Sequence, residues 1–155
     1  MQKDKPDYEA RAGTWAFADG VHTGKAGIVS AAFPAPPDYR LRFTAKPNAI
    51  GRLQLRFRDQ GPSGGGCTLV IDLKHQTTEL RGPLHTFERA MPIPRDQPVT
   101  IEAFVLGTVI ECFVNDAHAF TMRAYDFKSG TLSVTADEGG ISISKLEMCL
   151  PAAAR

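Results

Sequence analysis

The sequence predicts an all-β protein, a two-sheet antiparallel sandwich of the concanavalin-like or jelly-roll type. Short runs rich in β-branched and aromatic residues recur along the chain, roughly eleven of them, and clusters of Gly and Pro separate them. No segment keeps a helical period for a convincing length. A Cys-Trp-Cys pattern is absent, which argues against an immunoglobulin arrangement, and no repeat of fixed period suggests a propeller. The length of 155 residues suits one domain. It is placed at residues 13–151, after a polar lead-in or linker remnant at 1–12 and before a short tail at 152–155.

The elements follow in order. Thr14 to Ala18 reads as a first strand and holds the single tryptophan, Trp15; Asp19-Gly20 then turns the chain. Gly27 to Phe33 is a second apolar strand, stopped by Pro34-Ala35-Pro36-Pro37. From Tyr39 to Ala45, the apolar set Tyr39, Leu41 and Phe43 alternates with Arg40, Arg42 and Thr44, the signature of a half-buried strand. Leu53, Leu55 and Phe57 alternate in the same way with Arg52, Gln54, Arg56 and Arg58. Asp59 to Gly66 is a glycine-rich loop, but a strand, Cys67 to Leu73, follows it, so a phosphate cradle at a helix N-terminus is excluded. Thr77 to Arg81 is its hairpin partner, and residues 82–98, with four prolines, are expected to be irregular.

Three consecutive strands are predicted next, at Val99 to Val105, Val109 to Val114 and Ala119 to Arg123. A two-residue turn at Leu106-Gly107 would set Glu102 opposite Glu111, two like charges across a ladder. A three-residue turn with Gly107 left-handed is preferred, pairing Val105 with Val109 and Glu102 with Cys112. Asn115-Asp116 forms the following turn, although Ala117 stands where a glycine would relieve a positive φ.

Composition limits the function. A net charge of +1, with scattered basic residues, gives no electrostatic reason to expect nucleic acid or an anionic membrane. Cys67, Cys112 and Cys149 are odd in number and lie in apolar strands, so they read as buried thiols rather than a disulfide framework. Four dispersed histidines and no C-x-x-C pair give no zinc motif; no metal and no cofactor is expected, a calcium site near Asp72 or Asp137-Glu138 lacking a spaced ligand set. No apolar leader or membrane-length run is present, so the expectation is a cytoplasmic protein if the chain is complete, or a segment of something longer.

The run from Phe104 to Tyr125, FVLGTVIECFVNDAHAFTMRAY, followed by Ser129 to Leu150, resembles the C-terminal β-sandwich module of glycoside hydrolase family 32, the invertases, levanases and inulinases. Matching positions are Phe104, Val105, Glu111, Phe113, Val114, Asn115, Asp116, Arg123, Gly139 or Gly140, and Leu146. Leu106 replaces the turn aspartate, Ala117 the glycine, and Met148 or Cys149 the final tryptophan. The likeness covers the last third of the chain and implies an accessory module that supports a catalytic propeller, oligomer contacts or carbohydrate recognition. The family's catalytic carboxylates belong to that propeller, which 155 residues cannot include. Glu111-Cys112 spells the acid/base dipeptide but sits within the sandwich motif, so no catalytic residue is assigned.

Candidate carbohydrate or domain contacts are Trp15, Glu111, Asn115 and Asp116. Trp15 could stack on a sugar, or with Phe17 belong to a core. Asn115 and Asp116 serve as turn residues or as an exposed tip touching sugar or another subunit. The arginine face, Arg40, Arg42, Arg52, Arg56 and Arg58, is either solvated and balanced by acids or suited to anionic sugars or a neighbouring domain. The alternative function is a freestanding lectin-like domain binding oligosaccharide by itself.

Overall fold

A computed structural model of the chain describes residues 7–49, 51–62, 64–95 and 97–152. Its strands are β1 (Glu9–Ala18), β2 (Val21–Phe33), β3 (Tyr39–Pro47), β4 (Arg52–Asp59), β5 (Cys67–Asp72), β6 (Thr77–Arg81), β7 (Thr86–Ala90), β8 (Val99–Leu106), β9 (Val109–Val114), β10 (His118–Arg123), β11 (Thr131–Ala136) and β12 (Ile141–Cys149). All pairings are antiparallel, in the order β10-β9-β8-β3-β12-β2-β11-β4-β5-β6-β7, with β1 on β2.

The path folds into two layers at β2. Its first part, Val21 to Gly24, pairs with β12, whereas Val29 to Phe33 pairs with β11. Ala26 and Gly27 between them both have positive φ, and β1 follows through its own bulges. The hairpin β1–β2 thus crosses from one sheet to the other and closes one side of the sandwich. β1 begins at Glu9, inside the stretch read as a lead-in.

Alternation decides what is inside. Leu41, Phe43, Ile101, Ala103, Ile110 and Cys112 from the first layer meet Leu55, Phe57, Leu69, Ile71, Val134 and Leu80 from the second in one buried cluster. The parity of β12 changes part-way, because Lys145 takes a φ of 53° at a register shift. Before it Ile141 and Ile143 point inward; after it Leu146 and Met148 do. Cys149 therefore faces outward and is exposed, correcting its assignment as a buried thiol, while Cys67 and Cys112 are buried as expected.

Two further expectations are corrected. Thr86–Ala90, within the stretch expected to be irregular, is the edge strand β7; all five of its residues are exposed, so no burial alternation marks it in the sequence. The β8–β9 turn is Gly107-Thr108, closed by Leu106 opposite Val109, and Glu102 faces Phe113 while Glu111 faces Phe104. Moving the turn by one residue separates the two carboxylates that the register argument sought to keep apart. In the β9–β10 turn, Asn115 and Asp116 supply positive φ themselves, at 53° and 55°, so Ala117 needs none.

One charged side chain lies at the centre of these connections. Arg58 is 1% exposed with a φ of 51°, at a bulge where Ser133 pairs with Arg56 but Thr131 with Asp59. Its Nη1 donates to Phe127 O at 2.7 Å, and Nη2 to Gly107 O at 2.6 Å and Pro37 O at 3.1 Å. The β2–β3, β8–β9 and β10–β11 connections thereby share one donor group. Gly130 lies against the bulge with φ +146°, and a Cβ there would fall 2.5 Å from the Arg58 carbonyl carbon.

Replacing Arg58 with leucine leaves three carbonyls without their donor. Arg58→Leu is expected to lower unfolding stability by about 3 kcal/mol or more, measured by urea melts; a change under about 0.5 kcal/mol would show that the guanidinium is dispensable.

Candidate functional site

The outward face of the second layer is where charged and hydroxyl side chains collect. Pairing lines up Ser133, Arg56, Thr68 and Arg81 in one row and Thr135, Gln54, Val70 and Glu79 in the next. A concavity of about 300 Å³ opens here, lined by Arg11, Gln54, Arg56, Asp59, Thr68 and Ser133. Ser30 and Thr135 complete its floor, their hydroxyls 2.9 Å apart.

Asp59 is the anchor, delivered to this face by the bulge at Arg58. Its carboxylate is buried; Oδ2 accepts from Arg11 Nη1, and Oδ1 accepts from Gly61 N at 2.9 Å. Burial alone would raise its pKa, but hydrogen bonds from Ser133, the Gly61 amide and Arg11 outweigh it and hold the carboxyl below its usual value. Arg56 is less engaged: its Nη1 stands 3.8 Å from Asp59 Oδ1 and its Nε 3.4 Å from Thr68 Oγ1, with the side chain 38% exposed.

A second acid-base group stands apart from the pocket, at the Arg52 end of β4, where it lines a separate concavity with Gly51, Lys74 and Glu138. Asp72 accepts from Arg52 Nε at 3.0 Å, from His75 Nδ1 at 2.9 Å and from the amides of Lys74 and His75. Burial opposes its ionisation, yet the bonds from His75 and Arg52 keep its pKa far below the carboxylate range. Arg81 Nε is bound to Glu79. The carboxylates are thus committed, Ser133 bonds Asp59, and Ser30 and Thr135 bond each other, while the Arg56 guanidinium stays partly open to solvent. Among the described residues the pocket has one carboxylate, Asp59, whereas glycoside hydrolysis uses a facing pair. The pocket's least engaged group is the Arg56 guanidinium, a hydrogen-bond donor.

The residues singled out in the sequence are dispersed. Trp15 packs in the β1–β2 hairpin, its ring against Gly24, where a Cβ would lie 2.9 Å away, and its Nε1 donates to Ala12 O. Tyr8, His22 and Phe33 join it in an aromatic cluster, with burial pushing the His22 pKa down. Glu111 lies on the outer face of the first layer between Phe104 and Thr121. Asn115 Oδ1 accepts from Thr100 N at 2.9 Å, and Asp116 takes both Nη atoms of Arg42 at 3.0 and 3.1 Å. Trp15 lies at the opposite edge of the first layer from the other three, beside the part of β2 that pairs with β12.

The arginine face is likewise divided. Arg40 and Arg42 pair with Glu102 on the first layer, Arg52 and Arg56 belong to the second, and Arg58 is interior. Arg11 was hidden in the supposed lead-in, and Ser30, Ser133 and Thr135 carry no motif. The one signal in the sequence was the Arg52, Gln54, Arg56 alternation.

No family model matches the sequence, and no curated protein matches it either. Solved structures do match. A carbohydrate-binding module from Bacillus subtilis, CBM66, superposes with a TM-score of 0.75 at 15% identity, over 92% of this chain and 94% of that one. The fold is shared. The galectin LEC-6 from Caenorhabditis elegans matches at TM-score 0.61 and 17% identity, over 87% of this chain and 100% of its own. A sialidase matches at TM-score 0.64 and 14% identity, over 92% of this chain but 17% of the sialidase. The sandwich is thus of the galectin and CBM66 kind, and the likeness to the family 32 module rests on its motif residues alone.

Because Asp59 ionises more readily folded than unfolded, its contribution to stability is full above pH 3.8 and is lost as the pH falls through its depressed folded value. Urea melts between pH 2 and pH 7 should show Asp59→Asn less stable at pH 7 by about 1–3 kcal/mol and with a shallower acid limb. Parallel acid limbs in the two proteins would count against this placement of the charge.

Proposed function

We propose that the protein is a non-catalytic carbohydrate-recognition module that holds a saccharide on the outward face of its second layer. The observation that supports this reading is the Arg11, Arg56 and Asp59 pocket with its hydroxyl floor, in which a buried, fully bonded carboxylate fixes the geometry and Arg56 remains free to donate. Guanidinium and hydroxyl groups on adjacent strands match vicinal hydroxyls, and their placement on a sheet rather than a loop limits the ordering cost of binding. CBM66, by its name a carbohydrate-binding module, shares the fold.

A second setting for the same module is favoured by two observations. The sialidase contains this fold as a small part of a larger enzyme, and the residues from Phe104 to Tyr125 resemble the family 32 accessory domain. In that setting a catalytic propeller or another subunit is the partner, and the outer face of the first layer, with Glu111, Asn115 and Asp116, is the surface offered to it. An upstream reading frame encoding a propeller with an Asn-Asp-Pro motif favours this setting; an intact start after an intergenic gap counts against it.

Calorimetric titration with sucrose, levan and inulin oligosaccharides and the methyl glycosides of glucose, galactose and mannose tests the proposal. Saturable binding is expected with at least one, weakened tenfold or more by Arg56→Ala at unchanged melting temperature. None of these compounds should be hydrolysed, nor should aryl glycosides. Turnover that Glu111→Gln abolishes would overturn the non-catalytic reading, and absence of binding across the panel the recognition reading.

A further inference from the structure

A second concavity, of about 330 Å³, lies away from the polar pocket, where the edge strands of the two layers approach each other. The β6–β7 turn forms one wall. Gly82 N donates to His85 O at 2.8 Å, and a Cβ at position 82 would collide with Met122 Sδ, so the turn rests directly on β10. The segment after β10 forms the other wall. Beneath, the Arg89 guanidinium covers the Phe120 ring at 5.2 Å and closes the core.

The surface here is unusual for this molecule. Seven large hydrophobic side chains are exposed among the described residues, and three of them, Leu84 at 79%, Phe87 at 51% and Tyr125 at 65%, line this one cleft. Three apolar groups gathered in a concavity mark a binding surface rather than scattered exposure. The rim is polar on both sides: His85, Thr121, Arg123 and Asp126 converge on it. Arg123 Nη1 is held by Thr108 Oγ1 at 3.1 Å, so part of that rim is preset.

We infer that this cleft is a second saccharide subsite, taking one sugar ring with its apolar C–H face on Phe87 and Tyr125 and its hydroxyls on Asp126, Arg123 and His85. The inference rests on the carbohydrate reading for the class of ligand and not for the place. An acyl chain would leave a carboxylate, a guanidinium and an imidazole facing hydrocarbon. Edge pairing of β7 with a second copy of the chain about Glu88 would set that carboxylate against its own counterpart, with Glu79 already its neighbour within the sheet. A sugar ring satisfies both the aromatic floor and the mixed donors and acceptors.

The test is amide chemical-shift mapping of the full chain with the same sugar panel at millimolar concentration, for the native protein, Phe87→Ala/Tyr125→Ala and Arg56→Ala. Both aromatic side chains are half exposed or more, so the double variant should keep its melting temperature. The expected result is a saccharide that shifts the amides of Leu84, Phe87 and Tyr125, weakened at least tenfold by the double variant and unaffected by Arg56→Ala. Shifts confined to Gln54, Arg56 and Ser133 would overturn the cleft while sparing the polar pocket. Shifts confined to the cleft would do the reverse, and none anywhere would sink both. Sedimentation as a dimer that the double variant dissociates would also overturn the inference, by assigning the cleft to a second copy.

Discussion

A guanidinium removed from water must find acceptors, and in this protein Arg58 finds them in the carbonyls of Pro37, Gly107 and Phe127. Three connections from distant parts of the sequence are therefore fixed to one another at one end of the sandwich. The same bulge that turns Arg58 inward delivers Asp59 to the opposite surface, since an extra residue in a strand reverses the side to which its successors point. The interior clamp and the polar pocket are two consequences of a single backbone irregularity. A positive φ at a non-glycine residue is an unfavourable conformation, and here the three hydrogen bonds and Gly130 hold it in place.

The second layer separates anchoring from presentation. Asp59 and Asp72 each spend their oxygens on neighbours, which stabilises the charge in a partly desolvated position and leaves little basicity for proton abstraction. Arg56, Gln54 and the hydroxyls of Thr68 and Ser133 stand between these anchors on rigid strands. A surface made in this way keeps its polar side chains in fixed positions with little reorganisation. The first layer balances its charges differently, Arg40 and Arg42 bracketing Glu102 and Asp116 in a self-satisfied ladder.

Strand identity was legible wherever one side of a strand meets the core and the other meets water. Tyr39, Leu41 and Phe43, or Leu53, Leu55 and Phe57, announce their buried side by alternation alone, and the prolines and glycines announce where strands stop. β7 was illegible because all of its side chains are exposed and burial imposes no pattern on it. Of the polar pocket, the Arg52, Gln54 and Arg56 series could be seen, but its inclusion with Arg11, Asp59 and Ser133 could not, as those residues are brought together only by β1–β2 crossing the layers and by β11 lying beside β4.

What the sequence determined by itself was the class: a two-layer antiparallel sandwich with no helical segment, because period-two burial and turn chemistry are local properties of the chain. What the tertiary structure decided was direction. The bulges at Arg58 and Lys145 reverse which side chains face outward, sending Asp59 to the pocket and Cys149 to solvent, and the Gly107-Thr108 turn sets which carboxylates meet. Such one-residue shifts cost little locally and are selected by contacts between distant strands, so no window of the sequence contains the information that fixes them.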